Sequence, residues 1–201
     1  INLLPEVERA TGIGLLTVKI EDRGQYLTTI NPATAEGVFD LGLTSGTYAD
    51  LTADTIFVSQ QYEDNNDSKL GDTIAITLAD AQVKTLSIAG IYEFDEIAGK
   101  YTVSRDIIKD STVINFDLGV YIKTKAGVSE ESARAVLQAA VDKYGQGALL
   151  SKREYIDSQS GQIKQLLGLI HGLLFLSVII AVVGIIITLL LAAFDRQRRL
   201  G

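Results

Sequence analysis

The chain has no cysteine and a single histidine, His171, in 201 residues. Lack of cysteine excludes disulfides as a source of stability. Because His171 lies late in the chain, the polar region before it has neither Ser-His-Asp nor Cys-His catalysis open to it, nor the usual zinc ligands. No Walker sequence or Gly-rich phosphate loop occurs, so the chain is not itself an ATPase. With 25 acidic residues against 18 basic ones and a net charge of -7, it has the wrong sign for nucleic acid. The acidic run Glu63–Ser68 suggests a calcium loop, but counting from Asp64 puts Lys69 where Gly is required and Ala75 where the closing Glu is required. The run therefore reads as a solvated turn. Asp50, Asp54, Glu93, Asp95 and Glu96 read as solvated strand-end carboxylates, with no two paired for acid-base work.

Charge is missing altogether from Gln165 to Phe194, and between Leu173 and Phe194 the only polar side chains are Ser177 and Thr188. About 20 apolar residues at 1.5 Å each cross a hydrocarbon layer about 30 Å thick, so this segment is expected to span a membrane. A buried core helix of that length would keep a polar face, and a signal peptide would be shorter and N-terminal. Asp195, Arg196, Gln197, Arg198 and Arg199 follow at once. Positive charge collects on the cytoplasmic side, whereas the other flank mixes signs through Lys152, Arg153, Glu154, Asp157 and Lys164. The expected arrangement places residues 1–164 outside the cytoplasm and the C-terminus inside the cell. No signal or earlier span explains that export, so the sequence reads as a piece of a longer protein.

The polar region reads as α+β: a mixed β-sheet domain of short strands divided by Gly, Asn and Asp turns. Leu15–Glu21 and Gln25–Ile30 have hairpin spacing across Asp22-Arg23-Gly24. Ile56–Ser59, Thr73–Leu78 and Thr85–Tyr92 are β-branched runs expected to neighbour one another in a sheet, with Tyr101–Ser104 and Leu118–Lys123 completing the strands. A helix is expected from Glu130 to Tyr144, N-capped by Ser129, its apolar face made of Ala133, Val136, Leu137, Ala140, Val141 and Tyr144. With a return strand at Ala148–Ser151 it would close a β-α-β unit. Weaker helices are expected at Pro32–Phe39 and over residues 2–10. From Ile156 a stalk helix, with Ile163 and Ile170 at heptad spacing, is expected to be continuous with one transmembrane helix, despite the helix-weakening Gly161, Gly168 and Gly172. The expected parts are an outer domain over 1–155, the stalk over 156–172, the span over 173–195 and a cytoplasmic segment from 196 to 201.

Ser177, Ala181, Gly184 and Thr188 fall within an arc of roughly 60° on a helix. In lipid, helices associate through small residues that let backbones approach, so this stripe predicts a partner helix. His171, near the outer membrane edge, reads as an interfacial side chain reaching for headgroups or water rather than as a proton relay. Gly168 and Gly172 make a separate G-x-x-x-G of little weight.

The run Val183-Gly184-Ile185-Ile186-Ile187-Thr188-Leu189, followed by Asp195-Arg196-Gln197-Arg198-Arg199-Leu200-Gly201, resembles the second transmembrane helix of the FtsX/MacB permease family. The family pattern is G-I-x-N-T/I-L and then E-R-x-R-E-I/L-G. Gly184, Leu189, Arg196, Arg198 and Gly201 match it; Asp195 and Leu200 are conservative matches; Ile187 replaces Asn and Arg199 replaces Glu. The polar region is also similar to the family's outer domain through Ile30-Asn31-Pro32-Ala33, Gly46-Thr47-Tyr48-Ala49-Asp50-Leu51, Ile56-Phe57-Val58-Ser59, Leu70-Gly71-Asp72-Thr73-Ile74 and Ile88-Ala89-Gly90-Ile91-Tyr92, in the family's order but in a shortened form. The resemblance implies a permease subunit of a type VII, mechanotransmission ABC transporter. Such a subunit works as a homodimer or with a pseudo-dimeric half, in membrane lipid, beside a separate cytoplasmic ABC ATPase and without a cofactor of its own. Asp195, Arg196, Arg198, Arg199 and Gly201 would begin the segment that contacts the ATPase. The cargo class would be lipoprotein, lipid, peptide or drug, or the outer domain would act on a partner such as a cell-wall hydrolase. A single-pass receptor or anchored binding module is the competing function, separable by whether further spans flank the segment.

Overall fold

The structure, a computed structural model, describes residues 1–144 and 147–198; within these, the side chains of 144, 159–165, 188 and 190–198 are not described. The chain divides into two compact units, the first being Ile1–Tyr144.

Strands β1 (Val7–Ile20) and β2 (Arg23–Ile30) form an antiparallel hairpin in register from Gly14↔Thr29 to Ile20↔Arg23. The turn is Glu21-Asp22, one step earlier than expected, and both residues have positive φ, 51° and 60°. That is the conformation whose twist suits a two-residue hairpin. β1 also corrects the expectation of a helix over residues 2–10, because Val7–Ala10 are strand. Their ladder partner lies over a hundred positions later, where no local pattern reveals it.

After β2 come a one-turn helix α1 (Pro32–Ala35), β3 (Leu43–Ser45), β4 (Thr55–Ser59), helix α2 (Gln60–Asn66), β5 (Thr73–Thr77), β6 (Val83–Tyr92), a one-turn helix α3 (Asp95–Ala98) and β7 (Tyr101–Ser104). β2 pairs parallel with β7, β7 antiparallel with β4, β4 parallel with β6, β6 antiparallel with β5, and β5 antiparallel with the end of β1. Since β1 also pairs with β2, these six strands close on themselves as a barrel, which leaves no sheet edge among them. Alternate residues Leu16, Val18, Ile20, Ile74, Ile76, Leu86 and Ile88 share one core cluster with Leu27, Val58 and Val103, as the period of two requires.

A second cluster gathers Ile13, Ile30, Ala35, Leu41, Leu51, Phe57, Tyr92 and Ala98. Phe57 stands opposite Gly90 in the β4–β6 ladder, next to a register shift, and its ring lies where a side chain on Gly90 would be. The Tyr92 hydroxyl donates to the Gly99 carbonyl at 2.6 Å and accepts from Thr102 Oγ1 at 3.3 Å. Burial pushes its pKa far up.

The Glu63–Ser68 run is not a solvated turn but mostly the end of α2. Ser59 caps this helix by accepting from the Tyr62 N–H at 3.2 Å, and Asp67 ends it with a left-handed φ of 50°. The cap and the terminating residue set α2 in place, and neither leaves an apolar period to read.

β8 (Asp117–Thr124) pairs antiparallel with the first half of β1, from Val7↔Thr124 to Gly14↔Asp117. Helix α4 (Glu130–Tyr144) follows, its Ser132 N–H donating to Ser129 Oγ at 3.2 Å, with Ala133 and Leu137 buried. The return strand expected at Ala148–Ser151 is absent: 147–151 are irregular. Ser151 is taken up instead as the cap of the helix that follows, its Oγ accepting from the Glu154 N–H. The β-α-β unit is thus a β-α unit.

In the second unit a single helix, α5 (Lys152–Arg198), runs for 47 residues, about 70 Å at 1.5 Å per residue. A reciprocal box starts it. Ser151 N–H donates to Glu154 Oε2 at 2.7 Å, and Glu154 N–H donates to Ser151 Oγ at 3.2 Å. This box sets the start four residues before Ile156. Gly161, Gly168, Gly172 and Gly184 all sit inside the helix without breaking it.

Candidate functional site

The features that sequence reasoning singled out lie on α5. The stretch Leu166–Ile187 is 22 residues of mean hydropathy 2.8, none of it buried within the protein. It is long and apolar enough to cross a membrane. Large side chains such as Ile180, Leu189 and Phe175 are 64–69% exposed, an area that water does not tolerate on a stable soluble helix. His171 satisfies itself within the helix, its Nδ1 lying 2.7 Å from the Leu167 carbonyl. Ser177 Oγ likewise donates to the Leu173 carbonyl at 2.9 Å. Both polar groups are thereby made cheaper to place in lipid.

Ser177, Ala181 and Gly184 follow one another at helical spacing on α5, and among the described residues, apart from the helix's own backbone and the chain neighbours, nothing lies within 4 Å of the position a Cβ on Gly184 would take. Thr188 is on the same helix, its side chain outside the described set. Asp195, Arg196 and Arg198 are helical, again without described side chains, while Arg199 and Gly201 lie outside the described residues.

In the first unit a polar cluster that sequence reading missed sits where β1 leaves the barrel for β8. The Arg105 guanidinium pairs with the Asp117 carboxylate, both groups about one-third exposed. Asn115 Nδ2 donates to Thr29 Oγ1. The Asp117 carboxylate occupies the space a Cβ on Gly12 would need, and the Asn115 amide the space above Gly14. Partial burial holds the Arg105 pKa below its usual value. At the far end of β8, Lys123 Nζ lies 2.9 Å from Glu8 Oε1.

The chain leading into β8 is fastened as well. Ser111 Oγ donates to Asp80 Oδ2, and Gln82 Nε2 donates to the Asp110 carbonyl at 3.3 Å. Between these ties, Ile114 and Phe116 are each 73% exposed, followed by Leu118 at 71%. Their alternation was the available signal. Among the described residues, no group of three or more His, Asp or Glu side chains is placed to hold a metal ion.

No protein-family model matches the sequence, and no curated protein matches it closely enough to count as a relative. Solved structures do match. The periplasmic region of MacB from Actinobacillus actinomycetemcomitans superposes with a TM-score of 0.52 over 72% of this chain and 71% of its own, at 12% identity. A permease-protein domain from Porphyromonas gingivalis gives 0.46 at 20% identity, covering 70% of this chain and 65% of that one. The extracellular domain of the noncanonic ABC-type transporter YknZ from Gram-positive bacteria gives 0.49 at 14% identity, covering 73% and 81%. The likeness to MacB rests on shape at an identity that shows fold alone. The chain therefore carries a mixed α+β domain with the fold of the MacB periplasmic region, together with a helix long and apolar enough to span a membrane.

Proposed function

We propose that this chain is part of the permease subunit of a type VII, mechanotransmission ABC transporter. Its outer domain, 1–155, stands outside the cytoplasmic membrane, and its C-terminus lies in the cytoplasm. One observation carries the reading: a domain of MacB periplasmic fold continues in sequence into a 47-residue helix containing a span. A domain so connected has a covalent route to the other side of the membrane. Arg196, Arg198 and Arg199 follow the span, and a cluster of that sign favours the inner face.

Four roles follow. Asp195, Arg196, Arg198, Arg199 and Gly201 start the segment that meets a separate ATPase. Ser177, Ala181, Gly184 and Thr188 form the face on which a neighbouring span packs, in a homodimer or against a pseudo-dimeric half. Residues 156–172 act as the stalk and 173–195 as the span. Nucleotide-driven closure of the ATPase moves the outer domain, for export or extraction of lipoprotein, lipid, peptide or drug.

The test uses the full-length protein in its native membrane. Arg198→Cys should react with an impermeant thiol reagent only after the membrane is opened, and the detergent-solubilised protein should copurify with an ABC ATPase. Labelling of Arg198→Cys from outside intact cells would remove the route from nucleotide to outer domain. Purification without any ATPase, from a protein with no further spans, would favour an anchored receptor instead.

A further inference from the structure

β1 belongs to two structures at once. From Gly14 to Ile20 it is a barrel stave paired with β2, and from Val7 to Gly14 it pairs with β8. Among the described residues β8 pairs with no other strand, so the limb formed by the first half of β1, β8 and α4 leaves the barrel through one shared strand. The ladder slips at that point: Ile13 faces Gly119 and Gly14 faces Asp117, leaving Leu118 without an opposite number. A bulge is where a strand bends most readily.

Gly12 and Gly14 flank the slip, but empty space is not what they provide. Other side chains fill the places their own Cβ atoms would take: Asp117 at the start of β8 over Gly12, and Asn115, just before β8, together with Thr29 of β2 over Gly14. Those side chains are tied to barrel residues, Asp117 to Arg105 just beyond β7 and Asn115 to Thr29 on β2. The opposite side of the limb is held separately: Arg9 donates to the Glu36 carbonyl at 2.6 Å, Thr11 and Thr34 hydroxyls lie 2.9 Å apart, and Tyr121 packs on Phe39 with ring centroids 5.8 Å apart.

The closed arrangement is poorly satisfied. Arg105 Nε and Asn115 Oδ1 are buried atoms without a hydrogen-bond partner, a condition native proteins seldom tolerate without a reason. The tie itself is an ion pair open enough to water for salt to screen it.

We propose that Arg105–Asp117 and Asn115–Thr29 form a releasable latch at the Gly12–Gly14 junction, which sets the limb at one angle to the barrel and frees it to swing when the ion pair opens. This deepens the transport reading, since it names where within the outer domain movement would occur. Its test needs neither cargo nor ATPase.

The full-length chain carries spin labels at Arg23→Cys on the barrel and Ala139→Cys on α4, in a background without other cysteines. The intact latch gives one distance population at low salt. Asp117→Asn, which keeps shape and removes charge, adds a second population, and so does high salt on the unmutated latch. Amide exchange at Gly12, Ile13 and Asp117–Val120 rises roughly two- to fivefold, the scale set by an exposed ion pair, while β4–β6 stay protected. Arg105→Gln should reproduce both effects. Identical distance distributions in every variant and at every salt concentration overturn the latch. So does exchange that rises evenly across the barrel, which means Asp117 only stabilises the fold. Either result leaves the membrane orientation and ATPase copurification tests standing.

Discussion

Phe57 and Gly90 are one packing unit, and mutating them singly and together tests the barrel's outer core. A Cβ on Gly90 would lie 2.7 Å from Phe57 Cδ1 and 2.8 Å from Cε1, about 1 Å inside the optimal carbon–carbon separation. Phe57 is fully buried, so its ring has no solvent side to retreat into. Gly90→Ala is therefore expected to destabilise the Ile1–Tyr144 unit by about 1–3 kcal/mol, the range for overpacking. This exceeds the roughly 0.5–1 kcal/mol gained by replacing a strand glycine. Phe57→Ala should cost about 3–5 kcal/mol through lost burial and a cavity. In the Phe57→Ala background the same methyl at 90 enters empty space, so Gly90→Ala should become neutral or stabilising, giving a coupling of about 1–4 kcal/mol. Urea unfolding followed by circular dichroism measures all four corners of the cycle, with melting shifts of about 4 °C per kcal/mol as a check. An unchanged cost of Gly90→Ala in the two backgrounds would mean that the ring does not lie over Gly90, and the packing argument would fail.

Gly46 has φ +81°, and a Cβ there would strike the Ala89 carbonyl and lie 2.9 Å from Gly90 Cα, whereas Gly37 has φ +76° with nothing nearby. Gly37→Ala should cost only the left-handed backbone, about 1–2 kcal/mol, and Gly46→Ala measurably more in the same unfolding assay. Asp80 receives the Ser111 hydroxyl, which holds its carboxyl below the ordinary value. Its contribution is thus present above the unfolded-state pKa and lost as pH falls through the lower folded value; Ser111→Ala should return the carboxyl NMR titration toward normal, and no change would remove the contact. Ile180→Arg places a charge within the span at a cost of about 3 kcal/mol, roughly a hundredfold in the insertion equilibrium. The fraction of full-length chains whose Arg198→Cys is shielded from an impermeant thiol reagent should then fall, and an unchanged fraction would count against insertion of this segment.

Features encoded over a few neighbouring residues were legible in the sequence. The α+β class, the strands β4, β5 and β6, the strand at Tyr101–Ser104 and the helix from Glu130 to Tyr144 all rest on β-branched runs, alternation, capping residues or turn residues within about ten positions. The apolar helix was legible for the same reason. The helix begins at Lys152, four residues before the heptad pattern that opens at Ile156, because the Ser151–Glu154 box caps it, and S-x-x-E is itself a sequence-level signal.

What escaped the sequence is concentrated at the limb junction, and one physical cause accounts for it. Val7–Ala10 look unpatterned because β8, not alternation, makes them strand; Ala148–Ser151 look like a strand but find no ladder. Gly12 and Gly14 carry no local mark of their role, which is set by Asp117 and Asn115 standing over them. Each of these facts depends on contacts between residues about a hundred positions apart, whose loop-closure cost is met only once the barrel has formed. The limb should therefore be the part of the outer domain that orders last and opens first. That order of events is also what a releasable latch at Arg105 and Asp117 requires, because a limb that folded independently of the barrel would have no use for a tie to it.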